Sequence, residues 1–207
     1  MSCTQFLGPC SMYTQPIQQL IRAFTKLPGV GKRTAERYVF FLLKSGKKDV
    51  AELTLALKHV IESIKTCAQC CNFSDTSPCA LCTDTKRSQQ HICVVTHPQD
   101  VVVMERVGAH KGTYHVLRDT LQTDAPIESQ HIKLTELFQR ITTEPLELIL
   151  ALNPDISGET TMMYIARVCK KEYPHVKVTR LARGLPMGSD VQYADDITLQ
   201  NAFMHRI

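Results

Sequence analysis

The sequence lacks the features that would attach it to a membrane or direct it out of the cell. It has no apolar run approaching the roughly 20 residues of a membrane span. Its first 16 residues, MSCTQFLGPCSMYTQP, contain neither a basic segment nor a continuous apolar core, so they do not predict a signal peptide. We therefore expect a cytoplasmic protein, associated with the nucleoid if it binds DNA, with no membrane partner.

Two common catalytic motifs are also missing. The pattern G-x4-G-K-[ST] does not occur, so ATP hydrolysis would have no phosphate cradle. The nucleophile pattern G-x-S-x-G is absent as well. The central histidines have no nucleophile or metal ligand at a useful spacing, so we interpret them as structural: His91, His97, His110, His115 and His131.

The excess of positive over negative charge is confined to the N-terminal third of the chain. Residues 1–15 carry no charged side chain, whereas residues 16–66 hold ten Lys and Arg against four Asp and Glu. Residues 67–207 hold 14 against 16. A basic patch of this kind suits a polyanion such as nucleic acid. The alternative is a helical surface that is simply solvated.

Four cysteines form two pairs in the middle of the sequence, Cys67 with Cys70 and Cys79 with Cys82. The spacing C-x2-C-x8-C-x2-C supplies four soft ligands for one ion, which is typical of a tetrahedral zinc site. The loop between the pairs is too short for its own apolar core, so we predict one structural Zn2+ per chain. Free thiols or two disulfides are the alternatives, but disulfides are rare in the cytoplasm. Cys71 adjoins a ligand and could compete with Cys70.

The basic third predicts an all-helical unit. Helices are expected over 17–26, 34–44 and from Asp49 onward. The third should bury an apolar stripe, consisting of Val50, Leu53, Leu57, Val60, Ile61 and Ile64.

The segment LPGVGKRTAERYVFFLL, residues 27–43, joins the first two helices by a glycine hairpin. Gly29 and Gly31 permit positive φ and close approach to a sugar-phosphate chain. Lys32, Arg33 and Arg37 add charge where the N–H groups and dipole of the second helix can hold a phosphate. This resembles a helix-hairpin-helix element that binds the DNA backbone without reading sequence. An ordinary helical hairpin is the alternative.

After the cysteines the pattern changes to alternating strands and helices. Strands are expected at 91–96, 114–117, 146–152 and 176–181, with helices at 99–107, 132–141 and 159–172. This alternation predicts an α/β domain with a parallel sheet, whose functional surface lies at the carboxyl ends of the strands.

One of these strand ends, Asn153 followed by PDISGETT, looks like the second acidic motif of Toprim domains. Carboxylates at a strand end suit Mg2+. However, Asn153 and Thr96 are uncharged and stand at two positions where the Toprim pattern has acidic residues. Their presence argues against a metal-dependent nuclease or nucleotidyl transferase. Asp155 and Glu159 remain candidates for a residual divalent-ion site. The alternative is that they only cap the following helix.

Taken in order, these motifs resemble the RecR family of bacterial recombination mediators. The resemblance spans about residues 12–207. It is carried by LPGVGKRTAERYVFFLL, the cysteine quartet, CVV with Asp100, GTYHVL, ILALNPDISGETT and TRLARGLPMGSDVQYAD.

The resemblance implies an α+β multidomain protein without enzyme activity. It would bind DNA and act with RecO-type and, in many bacteria, RecF-type partners to load RecA on single-stranded DNA. It would assemble as a dimer or a tetrameric ring. A Toprim-type nuclease or nucleotidyl transferase is the alternative function, and a zinc-built scaffold without a DNA role is a further one.

The domain organisation follows from these parts. We expect a disordered extension over 1–15, the helix-hairpin-helix unit over 16–66 and the four-cysteine zinc finger over 67–82. The Toprim-like domain would span 90–182, and a C-terminal assembly segment would span 183–207. The sequence departs from the family at Arg118 and Asp119, which stand where the family has two glycines and leave that loop's geometry open.

Overall fold

The computed structural model describes residues 13–122, 131–141, 147–204 and 206. Most of the predicted extension over 1–15 lies outside these residues. The chain divides into two compact units, Met1–Ser63 and Ile64–Ile207. None of the described helices is long and apolar enough to cross a membrane.

The first unit consists of three helices, as predicted: α1 (Gln15–Phe24), α2 (Lys32–Ser45) and α3 (Lys47–Ser63). Pro16 stands in the first turn of α1, where its missing N–H costs nothing. Helices α1 and α2 share a small core of Ile21, Ala35 and Val39, which Ile17 and Phe24 partly cover.

The buried stripe predicted for α3 was wrong for the isolated chain. No residue of α3 is buried, and Leu57 and Ile61 are 59% and 81% exposed. The periodicity correctly predicts a helix, but within the described residues its apolar face is left largely exposed, and of the predicted stripe only Val50 is half-buried. Helix α3 also begins earlier than expected, because Gly46 takes a φ of 91° and ends α2 directly before it.

The second unit opens with the cysteine segment and continues into a parallel sheet. The short elements of the cysteine segment are β1 (Lys65–Thr66), β2 (Phe73–Ser74) and α4 (Ala80–Thr83). The sheet and its helices follow as β3 (Ser88–Val95), α5 (Pro98–Val107), β4 (Gly112–Val116), α6 (Leu134–Arg140), β5 (Glu147–Leu150), α7 (Ile156–Glu172), β6 (Lys177–Arg180) and α8 (Asp196–Met204).

The four long strands run parallel in the order β4-β3-β5-β6. Side chains on both faces are buried in the second half of β3 and throughout β4, which explains the continuous apolar run ICVV at the end of β3. The larger core lies between the sheet and helices α6 and α7, with Leu137, Leu148 and Ile165 at its centre. The smaller core on the other face contains Val95, Val101 and Tyr114.

Two glycines permit close approaches that shape this sheet. A Cβ on Gly112 would lie 2.1 Å from the His91 carbonyl oxygen, where β4 begins beside β3. A Cβ on Gly158 would lie 2.0 Å from the Asn153 carbonyl oxygen. The turn from β5 into α7 therefore folds back on itself at a residue without a side chain.

Candidate functional sites

The four predicted ligands come together in one buried cluster. The sulfur atoms of Cys67, Cys70, Cys79 and Cys82 all lie within 4.8 Å of one another. The Cys67–Cys82 and Cys70–Cys79 sulfur distances are 3.9 and 3.5 Å. A tetrahedral zinc with Zn–S bonds of about 2.3 Å needs sulfur atoms about 3.8 Å apart. The cluster therefore fits Zn2+, and its distances exceed the roughly 2 Å of a disulfide.

Close packing of the thiols moves their pKa values in opposite directions, lowering that of Cys70 and raising those of Cys79 and Cys82. A hydrogen bond from Cys82 lowers the pKa of Cys70 to about 5, although burial opposes this shift. The same bond, together with burial, raises the pKa of Cys82. The backbone N–H of Cys79 also points at the Cys67 sulfur, at 3.3 Å. Cys71 is buried but lies outside the quartet.

Local structure around the cysteines explains how so short a segment closes on one ion. Strands β1 and β2 pair antiparallel, and Cys71 donates its N–H to the Cys67 carbonyl at 3.0 Å. Cys71 takes a φ of 59°, which turns the chain back toward β2. Lys65 and Thr66, expected in the helical unit, pair here with Ser74 and Phe73, respectively.

The glycine hairpin leads directly into the start of α2. Gly29 takes a φ of 76°, and Gly31 is the N-cap of α2 with an extended φ of −79°. Among the residues that the structure describes, no side chain caps α2. The first intrahelical bond is donated by Ala35 to the Gly31 carbonyl at 2.9 Å. The N–H groups of the first turn are therefore open to an external acceptor.

The predicted basic side chains lie beside that helix start. Lys32, Arg33 and Arg37 are all exposed. The Arg37 guanidinium lies 5.7 Å from the centre of the Tyr38 ring. An uncapped helix start and three exposed cations together form a surface complementary to phosphate.

The carboxyl ends of the sheet strands carry the Toprim-like positions. Thr96, at the end of β3, is 3% exposed, and its hydroxyl has no hydrogen-bond partner among the described residues. Asn153 follows β5 and is exposed. Asp155 is the N-cap of α7 and accepts the Gly158 N–H at 2.7 Å. This contact is the capping role that the sequence left as an alternative.

Glu159 has two arginine partners that the sequence interpretation missed. Arg180 pairs with one carboxylate oxygen at 3.2 Å, and Arg183 pairs with the other. A cavity of about 370 Å3 adjoins them, lined by Asn153, Met162 and both arginines among others. Arg180 and Arg183 were hard to foresee because they lie at and after the end of β6, some 20 residues after Glu159. The divalent-ion site at Asp155 and Glu159 stays a prediction.

Comparison with known protein families assigns each part of the chain. Residues 17–61 match the helix-hairpin-helix domain of RecR, and residues 64–84 match its four-cysteine zinc-finger domain. Residues 184–207 match the RecR C-terminal domain. The chain belongs to the RecR family. Residues 90–182 additionally match the Toprim domain, which agrees with the four-stranded parallel sheet.

Family membership confirms the predicted fold class and function. The RecR domains imply a non-catalytic recombination mediator in DNA repair, with DNA and RecO- or RecF-type partners. The zinc-finger match and the cysteine cluster together show one structural zinc per chain.

Proposed function

We propose that this mediator holds DNA at the glycine hairpin and acts with RecO-type and RecF-type partners to load RecA on single-stranded DNA. The observation that carries the DNA-binding proposal is the uncapped start of α2 beside exposed Lys32, Arg33 and Arg37. Open N–H donors on a helix dipole and three cations suit consecutive phosphates of one strand. Contacts to phosphate carry no base information, so binding at this surface is independent of sequence.

We further propose that copies of the chain assemble through the uncovered face of α3. Leu53, Leu57 and Ile61 lie on one side of this helix and are 42%, 59% and 81% exposed. Apolar surface of this extent on adjacent helical turns is typical of an interface. A dimer or ring would then present several hairpins to one DNA, so that weak contacts add up.

Substitution of the α3 face tests the assembly proposal. We expect the double variant Leu57→Asp with Ile61→Asp to shift the solution mass, measured by light scattering, toward the monomer. The matched control is Leu55→Asp with His59→Asp, which introduces two aspartates at the same four-residue spacing but on the opposite side of α3. Equal masses for wild type and both variants would contradict an interface at this face.

A reconstituted reaction tests the mediator proposal. RecA would be added to single-stranded DNA coated by single-strand-binding protein, with a RecO-type partner and this chain. We expect RecA filaments to form faster when the chain is present, and the gain to be lost on charge reversal at Lys32, Arg33 and Arg37. An equal gain with the charge-reversed variant would show that the hairpin is not the DNA contact.

The domain boundaries and the location are also proposals. We propose the division 16–66, 67–82, 90–182 and 183–207, which the matched ranges support. The pairing of Lys65 and Thr66 with β2 supports starting the finger two residues earlier. We propose that the protein acts in the cytoplasm at the nucleoid, because that is where its DNA substrate lies.

A further inference from the structure

Arg118 holds a backbone conformation that is unusual for its residue type. Its φ is 72°, in the left-handed region that favours glycine. Its own N–H donates to the Thr96 carbonyl at 2.9 Å, and the N–H of Leu117 donates to the Val95 carbonyl at 2.9 Å. The backbone of Arg118 is therefore fixed to the β3 end of the sheet although β4 has already ended.

The side chain of Arg118 reaches three separate parts of the zinc finger. Its Nε donates to the Cys71 carbonyl at 2.7 Å, and its Nη2 donates to the Thr66 hydroxyl at 3.3 Å. Its guanidinium carbon lies 3.6 Å from the centre of the Phe73 ring. These contacts involve β1, the turn after the ligand Cys70, and β2. The half-buried guanidinium therefore contacts both short strands of the finger and the turn between them.

Other contacts place the finger on the same corner of the sheet. The N–H of Val116, on the edge strand β4, donates to the Cys70 carbonyl at 2.8 Å. Leu81 packs against both the cysteine cluster and the sheet core that contains Val95 and Tyr114. The finger is thus joined to the sheet by a backbone bond, an apolar contact and the Arg118 side chain.

We propose that Arg118 is a positioning residue that couples the zinc site to the Toprim sheet. By fixing the Cys71 carbonyl and Phe73, it holds the turn that orients Cys67 and Cys70, so zinc retention and finger docking reinforce each other. Groups that orient metal ligands typically change metal affinity roughly 10- to 100-fold when removed. Lysine cannot replace it, because only a planar guanidinium can donate in two directions and stack on a ring at once.

Zinc release from the intact, zinc-loaded chain tests this inference. We expect Arg118→Ala to bind zinc about tenfold more weakly than wild type, in competition with a metallochromic chelator. Arg118→Lys should behave like the alanine variant, although it keeps the charge. The matched control is Arg106→Ala, which removes an exposed arginine from α5 and should leave zinc binding unchanged. Wild-type zinc affinity in both Arg118 variants would overturn the proposal.

Two further measurements separate coupling from a general loss of stability. Amide exchange of the zinc-loaded Arg118→Ala variant should increase across 65–83, and zinc removal from wild type should increase exchange at Val116 and Leu117. Unchanged exchange at both places would overturn the coupling. Should Arg118→Ala fail to fold, Phe73→Leu removes only the stacking partner: faster zinc release would support the proposal, and unchanged release would overturn it.

Discussion

His115 is a buried titratable group that makes the sheet sensitive to acid. It is completely buried on β4, and its Nε2 donates to the Lys133 carbonyl at 2.8 Å. Burial lowers the pKa of His115 from 6.5 to about 4. Between those pH values the unfolded chain binds a proton that the folded chain does not, so stability must fall as the pH drops below the unfolded value.

This shift gives a prediction that one substitution can isolate. We expect wild type to lose about 2 kcal/mol more than His115→Gln when urea unfolding is compared at about pH 7.5 and pH 5. Glutamine can keep the donor to Lys133 but cannot titrate, and both proteins share any acid-dependent loss of zinc. Parallel pH profiles for the two proteins would show that His115 does not sense this range.

Gly158 is a second residue whose identity the fold requires. A Cβ there would collide with the Asn153 carbonyl, a backbone atom that cannot rotate away. We expect Gly158→Ala to lower the free energy of unfolding by about 1–3 kcal/mol, measured by chemical denaturation. Gly184→Ala is the control, since its nearest neighbour is Ala202 at 4.0 Å. Equal stability of the two variants would contradict the close approach.

The zinc finger gives a prediction at the scale of an element. Metal analysis should find one zinc per chain, and Cys67→Ser should lose it because three thiolates hold the ion less tightly. Chelation should raise the amide exchange of residues 67–82, because bound metal provides most of their folding energy. Cys71→Ser is the control and should keep its zinc, since Cys71 lies outside the quartet. A well-folded, metal-free Cys67→Ser protein with its assembly state intact would contradict a structural role for the metal.

Most elements could be predicted from the sequence because each has a local cause. The runs HICVVT and LELILAL predict strands covered on both faces. The structure has β3 and β5 at these places, with strand ends that differ by a few residues from the predicted ones. The cysteine spacing predicts the ligand quartet, because four thiols so close in sequence can reach one point. The stripe on α3 could be predicted as apolar but not as exposed, because periodicity does not say whether the partner surface belongs to the same chain.

Contacts between distant segments could not be predicted. Arg118 is 47 residues from Cys71 and 52 from Thr66, and nothing in the local pattern marks it as their partner. The pairing of Glu159 with Arg180 and Arg183 depends likewise on the neighbouring positions of β5 and β6 in the sheet. In both cases the sequence alone indicates only a charged surface residue, and the partner of the arginine can be identified only when the topology is known.

At the scale of the whole molecule, charge and chemistry lie in different parts of the chain. The basic excess belongs to the helical unit, whereas the zinc and the Toprim-like strand ends belong to the second unit. Thr96 and Asn153 stand where the resemblance to Toprim domains places acidic residues. This distribution suits a protein that holds DNA and partners in place, and it agrees with a mediator that does not cleave DNA.

The salt dependence of DNA affinity tests the central claim most directly. Wild type should lose affinity steeply as salt rises, whereas the variant with Glu at 32, 33 and 37 should bind weakly and with a slope reduced by about 2 to 3. The control reverses three exposed lysines elsewhere, Lys86, Lys170 and Lys171, for the same change in net charge. We predict that the control retains wild-type affinity and slope. Equal losses in the two variants, or wild-type binding by the hairpin variant, would contradict DNA binding at the hairpin.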